Sequence, residues 1–151
     1  MGIRDYLKDP TGRRDISQAI RGAFDRKRGA AGTSGRILVI DADPLTRETL
    51  VRALQRVNYQ VVGTGDDDEA LGLVGKHPFD LVIAGTSWHE HRESKMWAGL
   101  RRLSSRTRVL AVASQTDLDQ TARSCGATHT LVKPFDSEQL LRAIKNALHQ
   151  D

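Results

Sequence analysis

Leu81-Val82-Ile83-Ala84 is an unbroken apolar run, entered through Pro78-Phe79-Asp80 and left through Gly85. A strand with one face in water alternates apolar and polar residues. A continuous run marks a strand covered on both faces, as in the middle of a parallel sheet. In an open parallel sheet, function gathers at the carboxyl ends of the strands. Here that end holds Gly85, which offers no side chain for chemistry.

Short apolar runs and amphipathic stretches alternate on either side of it. Ile37 to Ile40, Tyr59 to Gly63, Val109 to Ala113 and Thr128 to Val132 read as four further strands. Asp43 suits the N-cap of a first helix and Pro44 its first turn, with Leu50, Leu54 and Val57 on the inner face. Asp66 to Glu69 place negative charge at the start of a second helix, where the helix dipole favours it. That helix runs through Val74 and is stopped by Gly75 to Pro78. A polar loop from Thr86 to Glu93 precedes a third helix carrying Met96, Trp97, Leu100 and Leu103. Thr116, with Asp119 three places on, opens a fourth, which Gly126 closes as a left-handed terminal residue would. Asp136-Ser137-Glu138-Gln139 reads as a capping box before Leu140, Leu141, Ile144, Ala147 and Leu148. Five strands alternating with five helices predict an α/β fold with right-handed crossovers and a doubly wound parallel sheet. The last helix reaches the end of the chain, so no output domain is expected.

Charge divides the 151 residues in two. Residues 1–35 hold eight Lys and Arg against four Asp and Glu, whereas residues 36–151 hold fifteen of each. The net charge of +4 therefore belongs to an amino-terminal extension, and the domain over 36–151 is not expected to take nucleic acid as a specific partner. Gly29 to Gly35 has linker composition. Before it, Ile16, Ala19, Ile20, Ala23 and Phe24 recur at helical spacing among basic residues. An isolated helix of about 12–15 residues is marginal, so this one needs a surface: the domain, a second copy, another protein or an anionic membrane. No run approaches the roughly 20 apolar residues of a membrane span. The first ten residues lack a signal-type apolar region, and a cytoplasmic location is expected. The single cysteine, Cys125, excludes an internal disulfide and reads as a packing residue.

Three stretches together resemble a response-regulator receiver domain: Ile37 to Pro44, Phe79 to Ile83, and Leu131-Val132-Lys133-Pro134-Phe135. The resemblance spans about residues 36–149, and Lys-Pro-Phe before a capped last helix is its most specific piece. It implies a flavodoxin-like sheet of order 2-1-3-4-5. It also implies a site in which two acids after strand one hold Mg²⁺ and an Asp ending strand three attacks a phosphoryl donor. A Lys after strand five neutralises the phosphoryl oxygens, while a hydroxyl ending strand four and an aromatic on strand five relay the change. Carried over position by position, Asp41 stands at the first acid and Ala42 at the second. Gly85 stands at the acceptor, Ala113 at the hydroxyl and Thr130 at the aromatic, while Lys133 and Pro134 are kept. On this correspondence the usual acyl phosphate cannot form, no catalytic residue is expected, and Mg²⁺ binding should be weak or absent.

Asp41 and Lys133 are left to pair across the site. Thr86, Ser87 and Ser114 are neighbouring hydroxyls without an activating base, and Asp43 reads as a helix cap before Pro44. Ser87-Trp88-His89-Glu90-His91 holds two His beside a Glu, yet on a loop without further close ligands it reads as solvent-exposed. Trp88 there could plug the site or anchor a partner. The resulting expectation is a phosphorylation-independent pseudo-receiver, not an enzyme, that acts as an adaptor docking signalling proteins in bacteria. By resemblance the docking face comprises Arg123, His129, Thr130, Arg142 and Lys145; pairing with a second copy is left open. The alternatives are a receiver switched through an unconventional acceptor, a small-ligand sensor using the pocket over Gly85, and targeting through the basic extension.

Overall fold

The computed structural model describes residues 35–103 and 106–149. The helix and most of the linker expected before Gly35 lie outside the described residues. Leu81–Ala84 form strand β3, and all four side chains are buried. Losing one buried aliphatic side chain of this kind costs about 2–5 kcal/mol, so the run fixes both the strand and its central place.

The other strands are β1 (Gly35–Ile40), β2 (Tyr59–Thr64), β4 (Arg108–Ser114) and β5 (His129–Lys133). They pair in parallel in the order β2-β1-β3-β4-β5, the order implied by the resemblance. Between them run α1 (Pro44–Gln55), α2 (Asp67–Lys76), α3 (Trp88–His91), α4 (Met96–Arg101) and α5 (Leu118–Cys125), with α6 (Ser137–His149) last. Alternate strand residues feed two cores. Ile37, Val39, Leu81, Ile83, Leu110 and Val112 pack under α1 and α6 through Leu50, Leu54, Leu140 and Ile144. Leu38, Ile40, Val82, Ala84, Val109 and Ala111 pack under α2, α4 and α5 through Leu73, Met96, Trp97, Leu100 and Cys125. The sheet is thus wound on both faces. No helix among the described residues is long and apolar enough to cross a membrane.

Three helix starts follow the expected chemistry. Asp43 accepts from the Thr46 amide and Asp66 from the amides of Asp68 and Glu69. Asp136 accepts from the Gln139 amide at 2.7 Å while Gln139 answers the Asp136 amide at 2.9 Å, completing the box. Gly126 ends α5 at φ +71, a left-handed position that favours glycine.

Four expectations need correction. The Thr86–Glu93 stretch is not a plain exposed loop, because it contains the turn α3. The fourth amphipathic helix starts at Leu118, since the Thr116 hydroxyl meets Ser114 at 3.2 Å instead of capping. Gly35 belongs to β1, paired with Tyr59, and not to the linker. Strand five runs one residue later than expected, through Lys133.

Candidate functional site

Parallel winding brings the carboxyl ends of β1, β3 and β5 together, and with them Asp41, Gly85 and Lys133. The Asp41 amide continues the ladder to Thr64 at 3.0 Å and the Gly85 amide bonds Ile40 at 2.7 Å, so both residues are fixed by the sheet itself. The Asp41 side chain is only 3% exposed. One oxygen, Oδ1, accepts from the Asp43 amide at 2.9 Å; the other, Oδ2, accepts from Lys133 Nζ at 3.0 Å. Lys133 also donates to the Gly85 carbonyl at 3.2 Å. The expected Asp41–Lys133 pair is therefore present, and it closes over Gly85. A Cβ built on Gly85 would lie 2.7 Å from Asp41 Oδ2 and 3.2 Å from the Ile40 carbonyl.

Two residues around this pair had no place in the sequence reading. Arg47 reaches back from α1 to donate to the Asp41 carbonyl at 2.7 Å. Asp117, at the start of α5 and 8% exposed, accepts from the Ser87 hydroxyl at 2.8 Å. Neither carries a sequence signal, because an Arg on a helix and an Asp before one have ordinary readings.

Of the remaining positions, Ala42 is exposed, Ala113 is buried and Thr130 is exposed on β5. Thr86 is buried, and Ser114 is exposed beside Thr116. Asp43 caps α1: the Thr46 hydroxyl, then its amide, holds the Asp43 carboxyl below its ordinary 3.8, assisted by the Leu45 amide and the charge of Lys133 against slight desolvation. The His residues of α3 point to different neighbours. His91 Nδ1 lies 3.1 Å from Asp67, and His89 Nε2 lies 3.3 Å from Asp117. Among the described residues, no group of three His, Cys, Asp or Glu is placed to hold a metal ion. Trp88 is half-buried with its ring against the Leu38 core. Cys125 is fully buried; desolvation pushes its thiol up to about 11, as suits a packing residue.

Arg123, Arg142 and Lys145 are exposed, and His129 is half-exposed. His129, Thr130, Leu131, Gln139, Arg142, Ala143 and Asn146 line one open groove between β5 and α6. Arg142 also pairs with Glu138 at 3.1 Å along the helix. Arg123, on α5, is not part of that groove's lining.

Residues 37–145 match the response regulator receiver domain family. The chain is 35% identical over 122 residues to the transcriptional regulatory protein PdtaR of Mycobacterium tuberculosis, covering 78% of this chain and 58% of that protein. It is 28% identical over 114 residues to the uncharacterized transcriptional regulatory protein YbdJ of Bacillus subtilis, covering 75% and 50%. The chain thus spans about half the length of these curated relatives. Among solved structures it is similar to the chemotaxis response regulator CheY4 of Vibrio cholerae, with 27% identity and a TM-score of 0.63. That match covers 77% of this chain and all of the other. A response regulator of Burkholderia pseudomallei, solved with a phosphorylated aspartic acid, calcium and citrate, is 30% identical, with a TM-score of 0.59 over 74% of this chain and 68% of its own. With the sheet order, the Lys133-Pro134-Phe135 segment and these matches in agreement, the chain belongs to the response regulator receiver domain family.

Proposed function

We propose that this receiver domain works without phosphorylation, as a protein-docking module in bacterial signalling and not as an enzyme. One observation supports it above the others: Lys133 is already neutralised by Asp41 and the Gly85 carbonyl, at a strand tip whose residue has no carboxylate. An acyl phosphate needs a carboxylate nucleophile in reach of its donor. Among the described residues the carboxylate paired with Lys133 is Asp41, buried at the end of β1 with both oxygens engaged. Ser87 is engaged with Asp117 and Asp43 with Thr46, while the Thr86 hydroxyl is buried without a hydrogen-bond partner among these residues and so without an activating base.

Mg²⁺ takes six oxygens in near-octahedral array, usually from one or two carboxylates, substrate and water. The donor set does not fit it: Ala42 and Gly85 bring no side-chain oxygen, and Asp41 is held by Lys133 and the Asp43 amide. The proposed docking face is the groove beside β5 and α6 with Arg123 and Lys145 around it. The exposed Arg123, Arg142 and Lys145 on and around it suit an acidic protein partner, although Arg142 also meets Glu138. Trp88 is a second contact candidate, although much of its ring faces the core. Residues 1–35, basic by composition, would add contact to the partner or to an anionic membrane.

The test is incubation with acetyl phosphate and Mg²⁺, and separately with beryllofluoride and Mg²⁺. Intact mass and tryptophan fluorescence are the readouts. Neither is expected to change. A labile phosphoryl adduct on any residue overturns the reading.

A further inference from the structure

Ser87 and Asp117 each occupy the residue before a helix, where short oxygen-bearing side chains ordinarily cap their own helix. Neither does so: Ser87 makes no side-chain cap bond to α3, and Asp117 makes none to α5. Asp43 and Asp66 in the same molecule, with extended backbone at that position, both cap, whereas Ser87 has the same extended backbone and does not. Asp117 instead has φ −98 and ψ −13, a helical backbone that turns its carboxylate away from the helix amides.

The two displaced side chains meet each other. Ser87 Oγ donates to Asp117 Oδ2 at 2.8 Å across 30 residues of sequence. The other carboxylate oxygen lies 3.3 Å from His89 Nε2, but it is buried without an aligned hydrogen-bond donor, so the Ser87 bond is the directional one. A carboxylate that is 8% exposed needs such a donor, because burying it unpaired is costly. Ser87 lies on the loop leaving β3 just past Gly85, and Asp117 on the loop leaving β4. On the far side of the same turn, His91 meets Asp67 of α2 and its carbonyl accepts from Trp97 Nε1 at 2.9 Å.

We infer that Asp117 is a positioning residue that, through Ser87, locks the α3 turn and the start of α5 into one unit and so fixes Trp88 relative to Arg123. The lock deepens the docking reading and rests on it: it names what holds that side of the proposed surface in a single shape. It needs no ligand and no covalent change, since the bond is made between groups of the chain itself.

Amide hydrogen exchange on the full chain tests it, in wild type, Ser87→Ala, Asp117→Ala, the double variant and Asp117→Asn. A hydrogen bond to a charged group is strong enough that its loss raises exchange about ten-fold. The rise is expected in both loops, 86–91 and 115–119, for either single alanine variant. The double variant should be no looser than Asp117→Ala alone, because one bond is lost in every case. Asp117→Asn keeps an acceptor for the Ser87 hydroxyl but not its charge, and should exchange between wild type and Asp117→Ala in both loops. Loosening confined to the mutated loop, or additive effects in the double variant, overturns the lock. Should Asp117→Ala fail to fold, Ser87→Ala alone decides, by whether the 115–119 loop responds. Acetyl phosphate treatment of the same wild-type sample separates the two claims, since phosphate uptake strikes the docking reading and uncoupled loops strike the lock.

Discussion

The two edges of the sheet are held together by different means. At the amino edge most bonds run to or from backbone, beside a side chain–side chain bond from Arg36 Nε to Gln60 Oε1 at 3.2 Å. The Arg36 amide donates to Asp80 Oδ2 at 2.8 Å, the Asp80 amide to the Arg36 carbonyl at 2.8 Å, and the Arg108 amide to the Asp80 carbonyl at 3.0 Å. Thr107 Oγ1 donates to the Phe79 carbonyl at 2.8 Å. These bonds extend the ladders that strand pairing already makes. At the carboxyl edge, side chains from separate loops bond to one another, as in Lys133–Asp41 and Ser87–Asp117. An edge held mainly through backbone depends on few side chains, here chiefly Asp80 and Thr107, whereas an edge held by pairs of side chains can be rewired by single substitutions.

The sharpest way to break this contrast is Lys133→Met against Thr107→Val. Removing Lys133 leaves the Asp41 carboxylate buried, with the Asp43 amide as its remaining donor among the described residues. The cost of orphaning a buried charge is about 3–5 kcal/mol, reduced to roughly 2–4 here because the ammonium end is partly in water. Thr107→Val removes one neutral hydrogen bond at the amino edge and should cost about 1 kcal/mol. Denaturant midpoints measure both. The double variant Asp41→Asn/Lys133→Met should regain most of the loss, because no charge is then left unpaired. Equal costs for Lys133→Met and Thr107→Val would remove the distinction between the edges.

Gly85→Asp comes next. Its Cβ would meet Asp41 Oδ2 at 2.7 Å, and its carboxylate would compete with Asp41 for the single ammonium of Lys133. Like charges at that spacing oppose each other, and a loss of about 2 kcal/mol is expected, read as a lowered melting temperature. Gly85→Asp/Asp41→Ala should recover much of it by emptying the contested space. If Gly85→Asp were as stable as wild type, Asp41 would not be the occupant that closes this edge.

How much of this was legible in the sequence follows from the same contrast. The strands were legible because unbroken runs such as Ile37–Ile40 and Leu81–Ala84 leave no polar face, and their order was legible through the receiver resemblance. The Asp41–Lys133 pair was legible through the receiver resemblance, which put both residues at one edge. The Ser87–Asp117 bond was not, because a Ser or Asp before a helix looks the same whether it caps that helix or bonds to another loop. Backbone geometry at Asp117 decides between them, and sequence pattern does not carry it. For the same reason α3 was missed: four residues are too few for a helical period to register.

The finest test sets Asp43 beside Asp41, two acids two residues apart with opposite environments. Asp41 is buried within the edge, while Asp43 is exposed and caps α1. The Thr46 hydroxyl and amide hold the Asp43 carboxyl below 3.8 in the folded chain. A carboxylate with a depressed folded value stabilises the fold at pH above its unfolded value. That contribution is lost as pH falls through the folded one, because the folded state then gains a proton it had resisted. Asp43→Asn keeps a competent cap but does not titrate. Wild type is therefore expected to melt slightly above Asp43→Asn at neutral pH, with the gap closing as pH falls below 3.8. Thermal melts of the pair across acid pH measure it. A gap that stayed constant into strong acid would mean that the cap acts through shape alone, and that charge at this edge resides entirely in the buried pair.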